Sequence, residues 1–80
     1  MPTALRIQGY RFYFYSHEAN EPPHVHIDKD GASAKFWIEQ IGLARNIGFS
    51  ARELNGLHRL VRKHQAEFLE AWHDHFGSDS

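Results

Sequence analysis

The sequence predicts an α+β domain: a small antiparallel sheet of two β-hairpins with one long C-terminal helix packed on one face, in the order ββ-ββ-α. Three observations carry this expectation. The tight-turn dipeptides Gln8-Gly9 and Asp30-Gly31 each lie between short runs in which apolar residues alternate. Ser50-Ala51-Arg52-Glu53 has the form of a capping box that opens a helix. From Leu54 to Phe76, apolar residues then recur every three or four positions. Eighty residues make a single domain, 1–80, with no length for a second.

The first hairpin runs from Leu5 to Tyr15. A two-residue turn at Gln8-Gly9 pairs Ile7 with Tyr10, Arg6 with Arg11 and Leu5 with Phe12. Alternation then sends Leu5, Ile7, Tyr10, Phe12 and Phe14 inward and Arg6, Arg11, Tyr13 and Tyr15 outward. Like charges directly opposite each other are unfavourable, so Arg6 and Arg11 are expected to meet an anion or an acid from elsewhere. His17 to Pro23 is a polar loop ending in two prolines.

In the second hairpin, the turn at Asp30-Gly31 pairs Asp28 with Ser33, Ile27 with Ala34, His26 with Lys35, Val25 with Phe36 and His24 with Trp37. Every pair sorts consistently. Val25, Ile27, Ala34, Phe36 and Ile38 share one face; His24, His26, Asp28, Lys35 and Trp37 share the other. Residues 40–49, with Gly42 and Gly48, read as a connection. The helix after Ser50 is expected to run about 25 residues, judged by its 3.6-residue period. It buries Leu54, Leu57, Val61, Phe68, Trp72 and Phe76 and ends at Gly77, with His64 and Gln65 filling the one gap in the stripe. Gly56 within it costs up to ~1 kcal/mol relative to alanine. Arg52, Arg59, Arg62 and Lys63 precede Glu67, Glu70 and Asp74, an order that opposes the macrodipole of one continuous helix.

Composition narrows the function classes. The absence of cysteine excludes a disulfide framework and a thiolate zinc site, and it fits a reducing compartment. No apolar run approaches transmembrane length, and Met1-Pro2-Thr3 leads straight into strand-like sequence, so a cytoplasmic protein without membrane partners is expected. A net charge of −1 gives no general attraction to nucleic acid, although Arg45, Arg52, Arg59, Arg62 and Lys63 allow a local basic patch.

Seven histidines are an excess for this length, and they can supply acid–base chemistry, metal ligands or a pH response. His24 and His26 could reach one zinc ion with Asp28, His17 or Glu18, but an HxH pair is a weak motif and Lys35 would repel a cation. No metal ligand and no cofactor is assigned. Metal-independent cleavage of RNA needs a general base, a general acid and cations at the phosphate. His24 and His26 could share the proton roles, with Lys35 and Arg11 stabilising the phosphorane. Arg6, Tyr13, Tyr15 and Trp37 would bind, the aromatic rings serving as a base-stacking platform. The same Tyr, Trp, Arg and His set is also what the cores of protein interfaces favour. Both readings place function on the open face of the sheet.

The segments Ile7–Ser16, Glu21–Ile27, Ala34–Trp37, Leu43–Ser50 and Glu70–His73 together resemble a family of small bacterial and phage-borne proteins, the domain-of-unknown-function family 4160. The likeness spans essentially the whole chain, and Pro-Pro-His-x-His followed by Lys-Phe-Trp is its most specific part. The resemblance implies a toxin-like component of a two-gene, toxin–antitoxin-type module, commonly paired with a small protein of the unknown-function family 2442. It carries no established catalytic residues. The expected function is thus a toxin-like protein acting as a ribonuclease through His24 and His26. The alternative is a non-enzymatic module whose open face binds a cognate antitoxin-like protein. RNA is a second expected partner, and homo-oligomerisation is left open.

Overall fold

The computed structural model describes residues 4–15 and 20–77. Five strands form one antiparallel sheet in the order of the chain: β1 (Ala4–Ile7), β2 (Tyr10–Tyr13), β3 (His24–Lys29), β4 (Ala32–Trp37) and β5 (Gly42–Ile47). Two helices follow, α1 (Ala51–Lys63) and α2 (Gln65–Phe76). The α+β class, both hairpins and every cross-strand pair expected within them are observed. Gln8 (φ 53°) with Gly9 (φ 84°), and Asp30 (φ 50°) with Gly31 (φ 84°), take positive φ at both central positions, the turn whose twist matches that of the flanking strands.

Two expectations are corrected. Residues 42–47 are a fifth strand rather than a connection. The register slips between Lys35 and Phe36, whose partners are Arg45 and Leu43, so Ala44 is a bulge residue. A bulge breaks the two-residue period, and with it the alternation by which a strand is recognised. The helix is also two helices. His64 ends α1 and starts α2 with φ −106° and ψ 17°, while the Gln65 side chain donates to the carbonyls of Ile38 (2.8 Å) and Glu39 (3.1 Å). A straight helix of 25 residues would run about 37 Å, whereas a six-residue strand spans about 20 Å. The break at His64, tied by Gln65 to the residues just after β4, leaves both halves contributing to the core, with Leu57, Leu60 and Val61 from α1 and Phe68 and Trp72 from α2. It also reverses the electrostatic expectation. Arg62 and Lys63 now stand in the last turn of α1 and Glu67 in the first turn of α2, where each complements the local dipole.

The core lies between the helices and the inner face of the sheet. Phe12, Phe14, Val25, Ile27, Phe36 and Ile38 meet Leu57, Leu60, Val61, Phe68 and Trp72. Leu5, expected inside, sits at the margin on edge strand β1 and remains exposed. The capping box at Ser50 and Glu53 and the left-handed cap at Gly77 are both present. Between β5 and α1 the Asn46 side chain clasps the turn, donating to Phe49 O and accepting from Phe49 N, each at 3.1 Å. Gly48 makes that turn possible with φ 94°, where an added Cβ would stand 3.2 Å from the Cβ of Ala32. Gly48→Ala is therefore expected to destabilise the domain by about 1–3 kcal/mol. The urea midpoint should fall with the m-value unchanged.

Candidate functional site

The strand registers align the outer face of the sheet in three rows. One crosses from Arg6 through Arg11, Asp28 and Ser33 to Ile47. The second runs from Tyr13 through His26 and Lys35 to Arg45. The third joins His24 to Trp37 and Gly42. Among the described residues the helices pack on the opposite face, apart from Trp72 of α2, which reaches His24 in the third row, and two grooves score this surface. One, of about 390 Å³, is lined by Tyr13, Tyr15, His26, Lys35, Trp37 and Arg45 among others. The other, of about 750 Å³, lies over Arg6, Arg11, Tyr13 and Asp28.

Contacts within the rows organise the polar groups. The Tyr13 ring stacks on His26 at 5.4 Å between centroids, and Tyr15 stands edge-on to both. The Tyr13 hydroxyl donates to Asp28 Oδ1 at 3.1 Å. The Arg11 guanidinium lies 3.8 Å from the other oxygen of Asp28 and 4.3 Å above the Tyr13 ring. Asp28 is thus the acid that Arg11 was expected to find. Arg6 and Arg45 make no ion pair among the described residues. Lys35 donates to Glu21 Oε1 at 2.6 Å, its ammonium also 4.8 Å from the Trp37 ring.

Burial, reinforced by hydrogen bonds with Tyr15 and Asp28 and by the charge of Asp28, pushes the Tyr13 hydroxyl well above the ordinary tyrosine range. An unfolded tyrosine ionises near pH ~10. The folded pKa lies higher, so this stabilisation is complete below pH ~10 and disappears as pH rises through the folded value. Tyr13→Phe should remove that alkaline loss, read as a flatter high-pH limb in urea midpoints, together with the highest-pH component of the tyrosinate absorbance.

His24 departs from expectation. Alternation along β3 puts it on the open face, yet its exposure is 0 %. At the start of β3 the ring is enclosed by Trp37, by His26 and by Trp72 of α2, at centroid distances of 5.7, 5.2 and 5.0 Å. Its Nδ1 lies 2.9 Å from the carbonyl of Pro22. A carbonyl only accepts, so Nδ1 carries the proton. Trp72 belongs to the second helix, far along the chain, and alternation along β3 alone could not reveal this contact.

The structure therefore gathers Tyr13, Tyr15, His26, Lys35 and Trp37 around one groove. It sets Arg6 and Arg11 at the other and withdraws His24 into the interior. Arg45, Ile47, Glu21 and Trp72 belong to the same neighbourhood; the sequence reading puts Arg45 in a basic patch and Trp72 in the core stripe of the helix, and places none of the four at this site. Arg45 and Ile47 were hidden by the bulge, and Glu21 by its place in a loop. No group of three or more His, Asp or Glu among the described residues is placed to hold a metal ion. His17 and Glu18, the candidates for completing an HxH site, lie outside the described residues. No helix among the described residues is long and apolar enough to cross a membrane.

A family model described as "Domain of unknown function (DUF4160)" matches residues 9–73. The chain belongs to this family. No curated protein and no solved structure matches the chain. The DUF4160 match contains every outer-face residue of the three rows except Arg6, together with Trp72 and the bend at His64.

Proposed function

We propose that this chain is a recognition module, the toxin-like member of a two-gene pair, whose outer sheet face docks a cognate small protein. The complete burial of His24 carries the choice between the two readings. A general acid or base must come within hydrogen-bond reach of the group it serves, and a ring enclosed by two tryptophans does not offer that reach. Docking needs only what the face retains, namely exposed or half-exposed Tyr15, Trp37 and His26 interleaved with Arg6, Arg11, Lys35 and Arg45. Aromatic and arginine side chains of this kind dominate binding energy at protein interfaces.

One observation favours cleavage of RNA as a second reading. His26 lies half-buried beside Lys35 in the groove that also holds Arg45, so one imidazole and two cations share a concave site. The test is co-expression of the tagged chain with the product of the neighbouring small reading frame, alongside growth and total-RNA integrity. Co-purification that is lost on Trp37→Ala, with RNA intact, supports docking. RNA fragmentation abolished by His26→Ala would establish the second reading instead.

A further inference from the structure

Among the described residues strand β5 has no strand beyond it in the sheet, and five of its six residues are exposed. Edge strands in soluble proteins are commonly blunted by proline, by charged side chains, by a β-bulge or by a covering loop. β5 has Arg45 and a bulge but no proline or lysine, and it carries two of the largest exposed apolar side chains, Leu43 (45 %) and Ile47 (51 %). Leu43 pairs with core residue Phe36 and so stands on the helix side, whereas Ile47 pairs with Ser33 and stands on the outer face. The bulge turns both Ala44 and Arg45 onto the outer face, where they line the 390 Å³ groove with Lys35 and Trp37. Backbone groups that can still pair, apolar side chains on both faces and an arginine at mid-strand therefore coincide.

We infer that β5 accepts an extended acidic segment of a partner protein as a sixth strand. This inference rests on the docking reading above and names the element and chemistry of the partner. Main-chain hydrogen bonds along the free edge would supply the register, and alternate side chains the selectivity. On the outer face, a carboxylate of the added strand meets Arg45, and the next side chain on that face lies against Ile47. On the helix side, an apolar residue covers Leu43. Charge selects a partner over a second copy. Two antiparallel β5 strands paired about their middle would bring the two Arg45 side chains together on one face, with no acid in either strand to offset them.

The test is an amide-resolved NMR titration of the isotope-labelled chain with a short synthetic peptide alternating glutamate and valine. The controls are the lysine–valine peptide, the same acidic peptide N-methylated at alternate residues, and oligouridylate. Shifts centred on Gly42–Ile47 with the acidic peptide alone, lost on N-methylation and on Arg45→Glu, are expected. Shifts confined to Tyr13, Lys35 and Trp37 would overturn the edge assignment and leave outer-face docking standing. Shifts with oligouridylate but not with the peptide would overturn it in favour of RNA. Concentration-dependent broadening of β5 without any ligand would overturn it in favour of self-pairing. No response to the acidic peptide at millimolar concentration also overturns it, while co-purification with the neighbouring gene product still judges the docking reading on its own.

Discussion

His24→Ala should lower the stability of this domain by about 2–4 kcal/mol, the range for truncating a buried ring and orphaning its hydrogen-bond partner. A domain of this size is stable by only about 4–12 kcal/mol, so the loss is large. The ring fills the space between Trp37 and Trp72, and its Nδ1–H satisfies the Pro22 carbonyl. Alanine leaves a cavity that β3 and α2 cannot close without moving Trp72, which in turn packs against Phe14 and Phe76. His24→Leu comes closer to separating the two contributions, because its volume is near that of the ring while it gives up the polar contacts with Pro22 and Glu21, at about 1 kcal/mol for a lost hydrogen bond. Urea unfolding of wild type and both variants gives the order directly. A His24→Ala protein as stable as wild type would mean that the ring does not fill the interior.

This expectation bears on how any growth phenotype of a histidine variant is read. A double substitution of His24 and His26 removes an interior ring together with a groove residue, so loss of a phenotype would not distinguish unfolding from lost chemistry. His26→Ala alone is the informative variant. Its ring is half-buried on the outer face, stacked on Tyr13 rather than enclosed by the core.

Both hairpins were legible in the sequence because each is determined locally. A two-residue turn with positive φ at both positions fixes the register, and the register fixes which face each side chain takes. The two registers alone therefore put Tyr13, His26, Lys35 and Trp37 on one face. Strand β5 was not legible, since a single bulge at Ala44 removes the alternation by which it would be recognised. The bend at His64 did leave a trace. Arg62 and Lys63 followed by Glu67 is unfavourable in one helix and favourable across the junction of two, so the reversal of charge marks the boundary. The burial of His24 left no local trace, because it depends on a tryptophan 48 positions along the chain.

Trp37→Ala is expected to weaken capture of the cognate protein by at least about 2 kcal/mol, roughly thirtyfold in Kd, as for a central aromatic anchor. Trp37 lines the 390 Å³ groove and also a second cleft formed with Pro22, Pro23, Glu39 and Gln40, so one ring serves two adjoining concavities. Lys35 lies over it while donating to Glu21, which keeps the ammonium close to the ring. Truncation removes the largest partly exposed ring on this face and frees Lys35 from one of its two contacts. Because Trp37 also borders His24, the binding loss must be compared with the change in stability of the same variant. Binding lost at a urea midpoint near that of wild type assigns the energy to the interface. A matched fall in both would place Trp37 with the His24 cluster and shift the docking surface toward Arg45 and Ile47. His26→Ala supplies the complementary measurement: partner capture changed by less than about threefold supports docking around Trp37, whereas a loss equal to that of Trp37→Ala would centre the interface on the row from Tyr13 to Arg45.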